Sequence, residues 1–265
     1  MADARAIGAT WGPDQYLRYS DARSRPFFDL VARVGGPPPG LVVDIGCGPG
    51  NLTATLSERW PAAQVLGVDS SPAMVERAAS HATDRLRFVL ADATTWVPDR
   101  PVDVLVSNAT LQWIDGHDRL AAGWVGHLSP GGWLAFQVPG NFASPSHVLI
   151  GELLATDRWR ARLPPGTALK AGSFDPAHYA EALTRAGATV DAWETTYLHL
   201  LTGDDPVLEW VKGTTLRPIL DAFAGDADRD EFLEELRLRL REAYPTGGAG
   251  TTFPFRRVFV VARAG

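Results

Sequence analysis

Five short, largely apolar runs recur along the first 140 positions, the first of them β-branched, and the stretches between them carry apolar residues at helical spacing. The runs are Leu41–Ile45, Gln64–Asp69, Leu86–Ala93, Val102–Ala109 and Trp133–Pro139, the last fed by a Leu-Ser-Pro-Gly-Gly loop from Leu128 to Gly132. Near-continuous apolar runs of this length read as strands buried on both faces of a parallel sheet. Leu52, Ala54 and Leu56 after the first run, and Pro72 onward after the second, read as helices. Alternating strand and helix predicts a doubly wound α/β fold.

The rhythm changes after residue 140. Val148 to Ala155 reads as a helix, and Pro164-Pro165-Gly166 breaks the chain. A helix from Asp175-Pro176 stops at Gly187, and a strand candidate follows over 189–201, with Trp193, Thr195, Tyr197 and His199 on one face by period two. Another helix begins at Asp204-Asp205-Pro206, and an amphipathic helix runs from Arg229 to Ala243 with Phe232, Leu233, Leu236 and Leu240 as its stripe. The last strand covers 255–263. Before the first strand, Phe27, Leu30, Val31 and Val34 share one helical face, which suits either a packing arm or a lid.

The turn after the first strand carries the chemistry. Asp44-Ile45-Gly46-Cys47-Gly48-Pro49-Gly50-Asn51 has glycines at alternate positions. A ligand can lie against such a turn only if no side chain holds it off. A dinucleotide loop is spaced G-x-G-x-x-G; the spacing here is G-x-G-x-G. It resembles motif I of the class I S-adenosylmethionine (SAM) methyltransferases, in which the loop packs against the methionine part of SAM. Asp69 ends the second run nineteen residues past Gly50, close to the ~20 expected of an acid that accepts ribose hydroxyls. Asp92 closes the third run, where its carboxylate is a partner for the adenine amino group and the Ala93 amide for a ring nitrogen. Three acids at successive strand tips, with a glycine loop between the first two, point to SAM. Tyr16, Arg25, Asp44, Gly46, Cys47, Gly48, Asp69, Ser70, Met74, Asp92, Ala93 and Asn108 are the expected cofactor-binding residues.

Composition narrows the acceptor. The chain has 265 residues, a net charge of −6 and one cysteine, Cys47. An acidic balance argues against nucleic acid, which needs clustered Lys and Arg. No apolar run reaches the ~20 residues of a membrane span, and the first 15 residues lack a signal-peptide core. A lone cysteine fits a reducing cytoplasm. The expectation is a cytoplasmic monomer acting on a small molecule, with no membrane partner and no metal.

Several further segments resemble the trans-aconitate methyltransferase family, bacterial carboxylate O-methyltransferases. They are Trp11-Gly12-Pro13 with Tyr16-Leu17, Arg23-Ser24-Arg25-Pro26, Asp69-Ser70-Ser71-Pro72-Ala73-Met74, Leu111-Gln112-Trp113, Ser146-His147-Val148-Leu149, Thr195-Thr196-Tyr197, Trp210-Val211, Leu216-Arg217-Pro218 and Phe259-Val260-Val261-Ala262-Arg263. Gly12, where the family pattern has Asn, and the glycine-rich 244–252 loop depart from it. The resemblance implies a seven-stranded Rossmann-like sheet with helices on both faces and a mostly helical cap. It divides the single domain 1–265 into a core of about 36–140, 174–202 and 253–265 and a cap from 1–35, 141–173 and 203–252. It also implies methylation of the trans-aconitate carboxylate distal to the double bond.

The chemistry of such a reaction agrees with the residues. A carboxylate, with an ordinary pKa near ~4, is already a nucleophile at neutral pH, so no strong base is required. The enzyme's task is positioning and desolvation. Gln112, Trp113, Tyr197 and Arg217 are the positioning candidates. His147, Trp210, Arg217, Tyr244 and Arg257 are the substrate-binding candidates, the arginines because a guanidinium fork matches a carboxylate. The rival expectations are another small-molecule or acyl-carrier carboxylate as acceptor, a SAM-binding protein without turnover, and a nicotinamide dehydrogenase, which the glycine spacing disfavours.

Overall fold

A computed structural model describes residues 20–169 and 172–265, with the backbone alone for 20–23. The strands are β1 (Leu41–Ile45), β2 (Gln64–Asp69), β3 (Leu86–Leu90), β4 (Val102–Asn108), β5 (Leu128–Pro139), β6 (Ala188–Leu201), β7 (Thr246–Gly247) and β8 (Gly250–Ala264). The helices are α1 (Ser20–Val31), α2 (Asn51–Arg59), α3 (Pro72–Ala78), α4 (His117–Trp124), α5 (Pro145–Ala155), α6 (Asp157–Arg160), α7 (Pro176–Arg185), α8 (Pro206–Lys212), α9 (Arg217–Leu220) and α10 (Asp226–Ala243).

The sheet runs β3-β2-β1-β4-β5-β8-β6, with β7 paired to β8 off that path. The pairs β1–β2, β1–β4, β2–β3 and β4–β5 are parallel, and β8 lies antiparallel to β5. Seven strands lie on that path, where seven were expected, and β7 makes an eighth. It arises because the chain turns at Gly248-Ala249, so that Gly247 pairs with Gly250 and Thr246 with Thr251, the two threonine hydroxyls 3.0 Å apart. β3 stops at Leu90, short of Ala93, because Asp92 folds back on Thr94. β5 begins at Leu128 rather than Trp133, since Leu128 still pairs with Val102 across an irregularity in the ladder.

The chain divides into two compact units. The sheet unit holds residues 20–140, 172–197 and 256–265. All five β1 residues are buried, and alternate positions feed opposite faces. Val43, Ile45, Leu105 and Phe136 join Ala121, Trp124, Tyr179 and Leu183 of α4 and α7. Val42, Val104, Val106 and Val261 join Phe27, Leu30, Val31 and Val34 from α1 and the residues just after it, and Leu56 of α2. Residues 20–34 therefore belong to the sheet unit, not to a cap. Their apolar stripe is the reason, since burying each such side chain contributes about 1.5–3 kcal/mol.

The second unit comprises 141–169 and 198–255. It is mostly helical, built from α5, α6, α8, α9 and α10 with the β7 hairpin. Aromatic rings fill it: Trp159 meets Phe232 edge-on at 5.1 Å, and Trp210 meets Phe253 at 5.6 Å. Among the described residues, no helix is long and apolar enough to cross a membrane.

The topology nominates a position for a ligand. β1 is flanked by β2 on one side and β4 on the other, so the strand order reverses there. Open α/β sheets bind ligands outside the carboxyl ends of the strands at such a switch point.

Candidate functional site

The carboxyl end of β1 runs into the glycine turn. The amides of Gly46 and Cys47 both donate to the Val68 carbonyl, at 2.7 and 3.1 Å, which presses the turn against β2. Gly46 has φ +76°, and a Cβ there would stand 2.0 Å from Oγ1 of Thr110. Gly48 also has positive φ, +54°, but a Cβ there would meet nothing within 4 Å. One glycine is thus required by protein packing, and the other faces open space.

Asp69 ties this corner together. Its Oδ2 accepts from the Gly48 amide and its Oδ1 from the Ser71 amide, both at 2.9 Å. Each oxygen of a carboxylate has a second acceptor direction, so two remain for a ligand. Ser70 beside it is exposed, while Met74 is buried on α3. Asp44 is buried and accepts from Thr53 Oγ1 of α2 at 2.6 Å. Burial, reinforced by the charge of Asp69, pushes its pKa up to about 7 against the opposing effect of the Thr53 bond. Burial likewise pushes the Cys47 thiol up. Asp92 is exposed just past β3, where the amide and hydroxyl of Thr94 donate to Oδ1 at 2.8 and 2.7 Å and hold its pKa down. Ala93 beside it is half-buried.

A second polar group lies at the tip of β4. Asn108 is half-buried, and its Oδ1 accepts from Gln137 Nε2 at 3.1 Å. The Gln137 Oε1 accepts from Arg257 Nη1 at 2.9 Å. Ala109 takes φ +54°, a left-handed conformation that costs a non-glycine residue about 1–2 kcal/mol. Its amide donates to the Gln137 carbonyl at 2.9 Å. The Ala109 carbonyl in turn accepts from Gln112 Nε2 at 2.6 Å. Gln112 is buried, and its Oε1 has no partner among the described residues. Trp113 is half-buried one residue on. A strained residue and an unused buried acceptor thus stand together just past β4.

Arg25 and Tyr197 come together through a residue the sequence did not single out. The Tyr197 hydroxyl donates to Asp29 Oδ2 at 2.7 Å, and the Arg25 guanidinium lies 5.1 Å from the centre of the Tyr197 ring. Arg25 Nε is 3.6 Å from the same Asp29 oxygen. Burial, then the Asp29 contact, raise the Tyr197 pKa, so the phenol stays protonated. Tyr16 lies outside the described residues.

The second unit assembles its own polar cluster. His147 is buried, with Nε2 2.9 Å from Thr215 Oγ1 and Nδ1 3.2 Å from both Asn141 Nδ2 and Ser146 Oγ. Burial lowers its pKa to about 4, so the imidazole is neutral at physiological pH and offers a substrate no positive charge. The Tyr244 hydroxyl accepts from the Ser146 amide at 3.1 Å. Asn141 Oδ1 is buried with no partner among the described residues. Trp210 is a core residue, packed 4.8 Å from the ring of His199. Arg217 opens α9, with Nε 3.5 Å from Asp221 Oδ2 and about a quarter of its side chain exposed.

A methyltransferase domain model matches residues 42–132, which span β1 to β5 and the glycine corner. The YcgJ protein of Bacillus subtilis has the same fold, with a TM-score of 0.60 at 16% identity over 91% of this chain and 98% of its own. The trans-aconitate 2-methyltransferase of Streptomyces coelicolor is 54% identical over 97% of this chain and 88% of its own length. That of Streptomyces avermitilis is 55% identical over 96% of both. The chain belongs to the trans-aconitate 2-methyltransferase family. Family likeness at this coverage takes in the second unit as well as the sheet, so the His147 cluster and Arg217 lie within the shared length alongside the glycine corner.

Proposed function

We propose that this protein is a SAM-dependent O-methyltransferase that methylates a carboxylate of trans-aconitate, releasing the monomethyl ester and S-adenosylhomocysteine. The reading rests above all on the glycine corner: Gly48 open on one side, bonded through its amide to an acid at the next strand tip. A side chain at Gly48 would fill the space beside Asp69, which fits a cofactor lying against the turn. Asp69, with two acceptor directions left over, suits a vicinal diol. Asp92 and Ala93, past β3, suit an adenine edge. Asn108 ends β4 beside the switch point, and Gln112 and Trp113 follow it. Relatives at more than half identity over nearly the whole chain carry the corresponding activity in their names.

SAM supplies an electrophilic methyl group on a sulfonium when bound. The residues of this chain then have three tasks. They hold the acceptor in line, exclude water from the carboxylate, and neutralise the carboxylates that do not react. Proton removal is not among them, because the acceptor is ionised at neutral pH. His147, neutral and bonded on both ring nitrogens, serves as a polar wall and not as a base. Arg217 is the candidate cation of the second unit for a spare carboxylate. Cys47, free and buried, suits a reducing cytoplasm. The test is release of S-adenosylhomocysteine from SAM on addition of trans-aconitate. Release dependent on that acid supports the reading, and tight SAM binding without release removes the catalytic part of it.

A further inference from the structure

We propose that Arg257 and Gln137 are positioning residues that fix the polarity of the Asn108 amide, so that Asn108 offers an N–H donor to a carboxylate at the tip of β4. The inference deepens the methyl-transfer reading and rests on it. A guanidinium has donors only. Arg257 Nη1 donates to Gln137 Oε1 at 2.9 Å, and Gln137 is fully buried. Reversing the Gln137 amide would set its NH2 against the guanidinium, donor against donor, with no water to relieve it. Gln137 Nε2 is therefore turned toward Asn108, where it donates to Oδ1 at 3.1 Å. The polarity passes once more: with Oδ1 taken, the Asn108 NH2 is left facing the other way, and among the described residues it makes no hydrogen bond. The relay crosses three neighbouring strands, β8, β5 and β4, and register brings Asn108 directly opposite Gln137. The same Gln137 also holds the strained Ala109 through its carbonyl.

An N–H at this place suits a carboxylate, and an oxygen repels one. Two ligands of the proposed reaction carry that group: the methionine part of the cofactor and the acceptor acid. Gln137→Glu separates polarity from packing. It keeps the shape and gives Arg257 a carboxylate partner, but it cannot donate. Asn108 must then turn its NH2 toward the new carboxylate and offer an oxygen outward.

Calorimetry would measure binding of S-adenosylhomocysteine and of 5′-methylthioadenosine, which lacks the amino-acid part. Initial rates with trans-aconitate at saturating SAM would give KM. Loss of one charge-assisted bond predicts a change of about tenfold or more. If S-adenosylhomocysteine weakens by that factor while methylthioadenosine holds, Asn108 serves the cofactor carboxylate. If KM rises by that factor while S-adenosylhomocysteine holds, it serves the acceptor. Unchanged binding and KM in the folded variant would overturn the proposal, as would equal losses for both nucleosides, which mark a general disruption. Should Gln137→Glu melt below the assay temperature, Asn108→Asp presents an oxygen from the strand tip and is judged by the same criteria. Wild-type protein that forms no ester from trans-aconitate would sink the acceptor assignment, and the nucleoside comparison would still decide the relay.

Discussion

Alanine at Gly48 and alanine at Gly46 should fail in different ways. Both positions have positive φ, so either substitution costs about 1–2 kcal/mol of backbone strain. At Gly46 the new methyl group would also stand 2.0 Å from Thr110 Oγ1 and 2.4 Å from its Cγ2. Overpacking of that kind adds about 1–3 kcal/mol. At Gly48 the methyl meets no protein atom within 4 Å, so stability bears the strain alone. The methyl would instead occupy the space assigned to the cofactor. If that crowding costs about 1–3 kcal/mol of binding, S-adenosylhomocysteine affinity falls roughly 5- to 150-fold. Calorimetric melting and isothermal titration with S-adenosylhomocysteine measure the two quantities separately. Gly46→Ala should melt well below Gly48→Ala, each kcal/mol being worth about 2–4 °C. Wild-type affinity in Gly48→Ala would refute the reasoning, because the open side of the turn would then not face the ligand.

Asp69→Ala should weaken S-adenosylhomocysteine binding by about tenfold or more, since a ligand hydrogen bond to a charged group is worth roughly 1.5–3 kcal/mol; equal affinity in titration removes the ribose assignment. Arg217→Ala should raise the KM for trans-aconitate about tenfold while sparing cofactor affinity; steady-state kinetics that leave KM untouched return Arg217 to its surface pair with Asp221. His147 titrates near 4 when folded against an ordinary 6.5. The unfolded chain therefore takes up the proton first, and stability present above pH 6.5 is lost as pH falls toward 4. His147→Gln should flatten that loss in denaturant midpoints measured across the window, and an unaltered slope would mean that another group drives it.

The glycine corner was legible because its signal is local. Asp44, the three glycines and Asp69 lie within 26 residues, and an acid stands at or near the end of each of the first three apolar runs. The doubly wound fold class followed from strand–helix alternation for the same reason, whereas the switch point needed the strand order. The relay from Arg257 was not legible, because its members lie on three strands that touch only once register is known. A faint sign existed: Gln137 is a lone polar residue inside the apolar run Trp133–Val138, and a buried amide there must find a partner. Asp29 escaped notice because it reads as an ordinary charge on the outer face of α1. Asn141 and Thr215 are 74 positions apart and meet only through His147. The β7 hairpin read as a break, since two glycines announce a turn but not the two-residue pairing on either side of it.

The most direct test incubates the protein with methyl-labelled SAM and separately with trans-aconitate, cis-aconitate, citrate, isocitrate and itaconate, then counts extractable ester. Labelled ester is expected from trans-aconitate well above the other four. Label spread evenly over the acids, or absent from all of them while SAM remains bound, would contradict it.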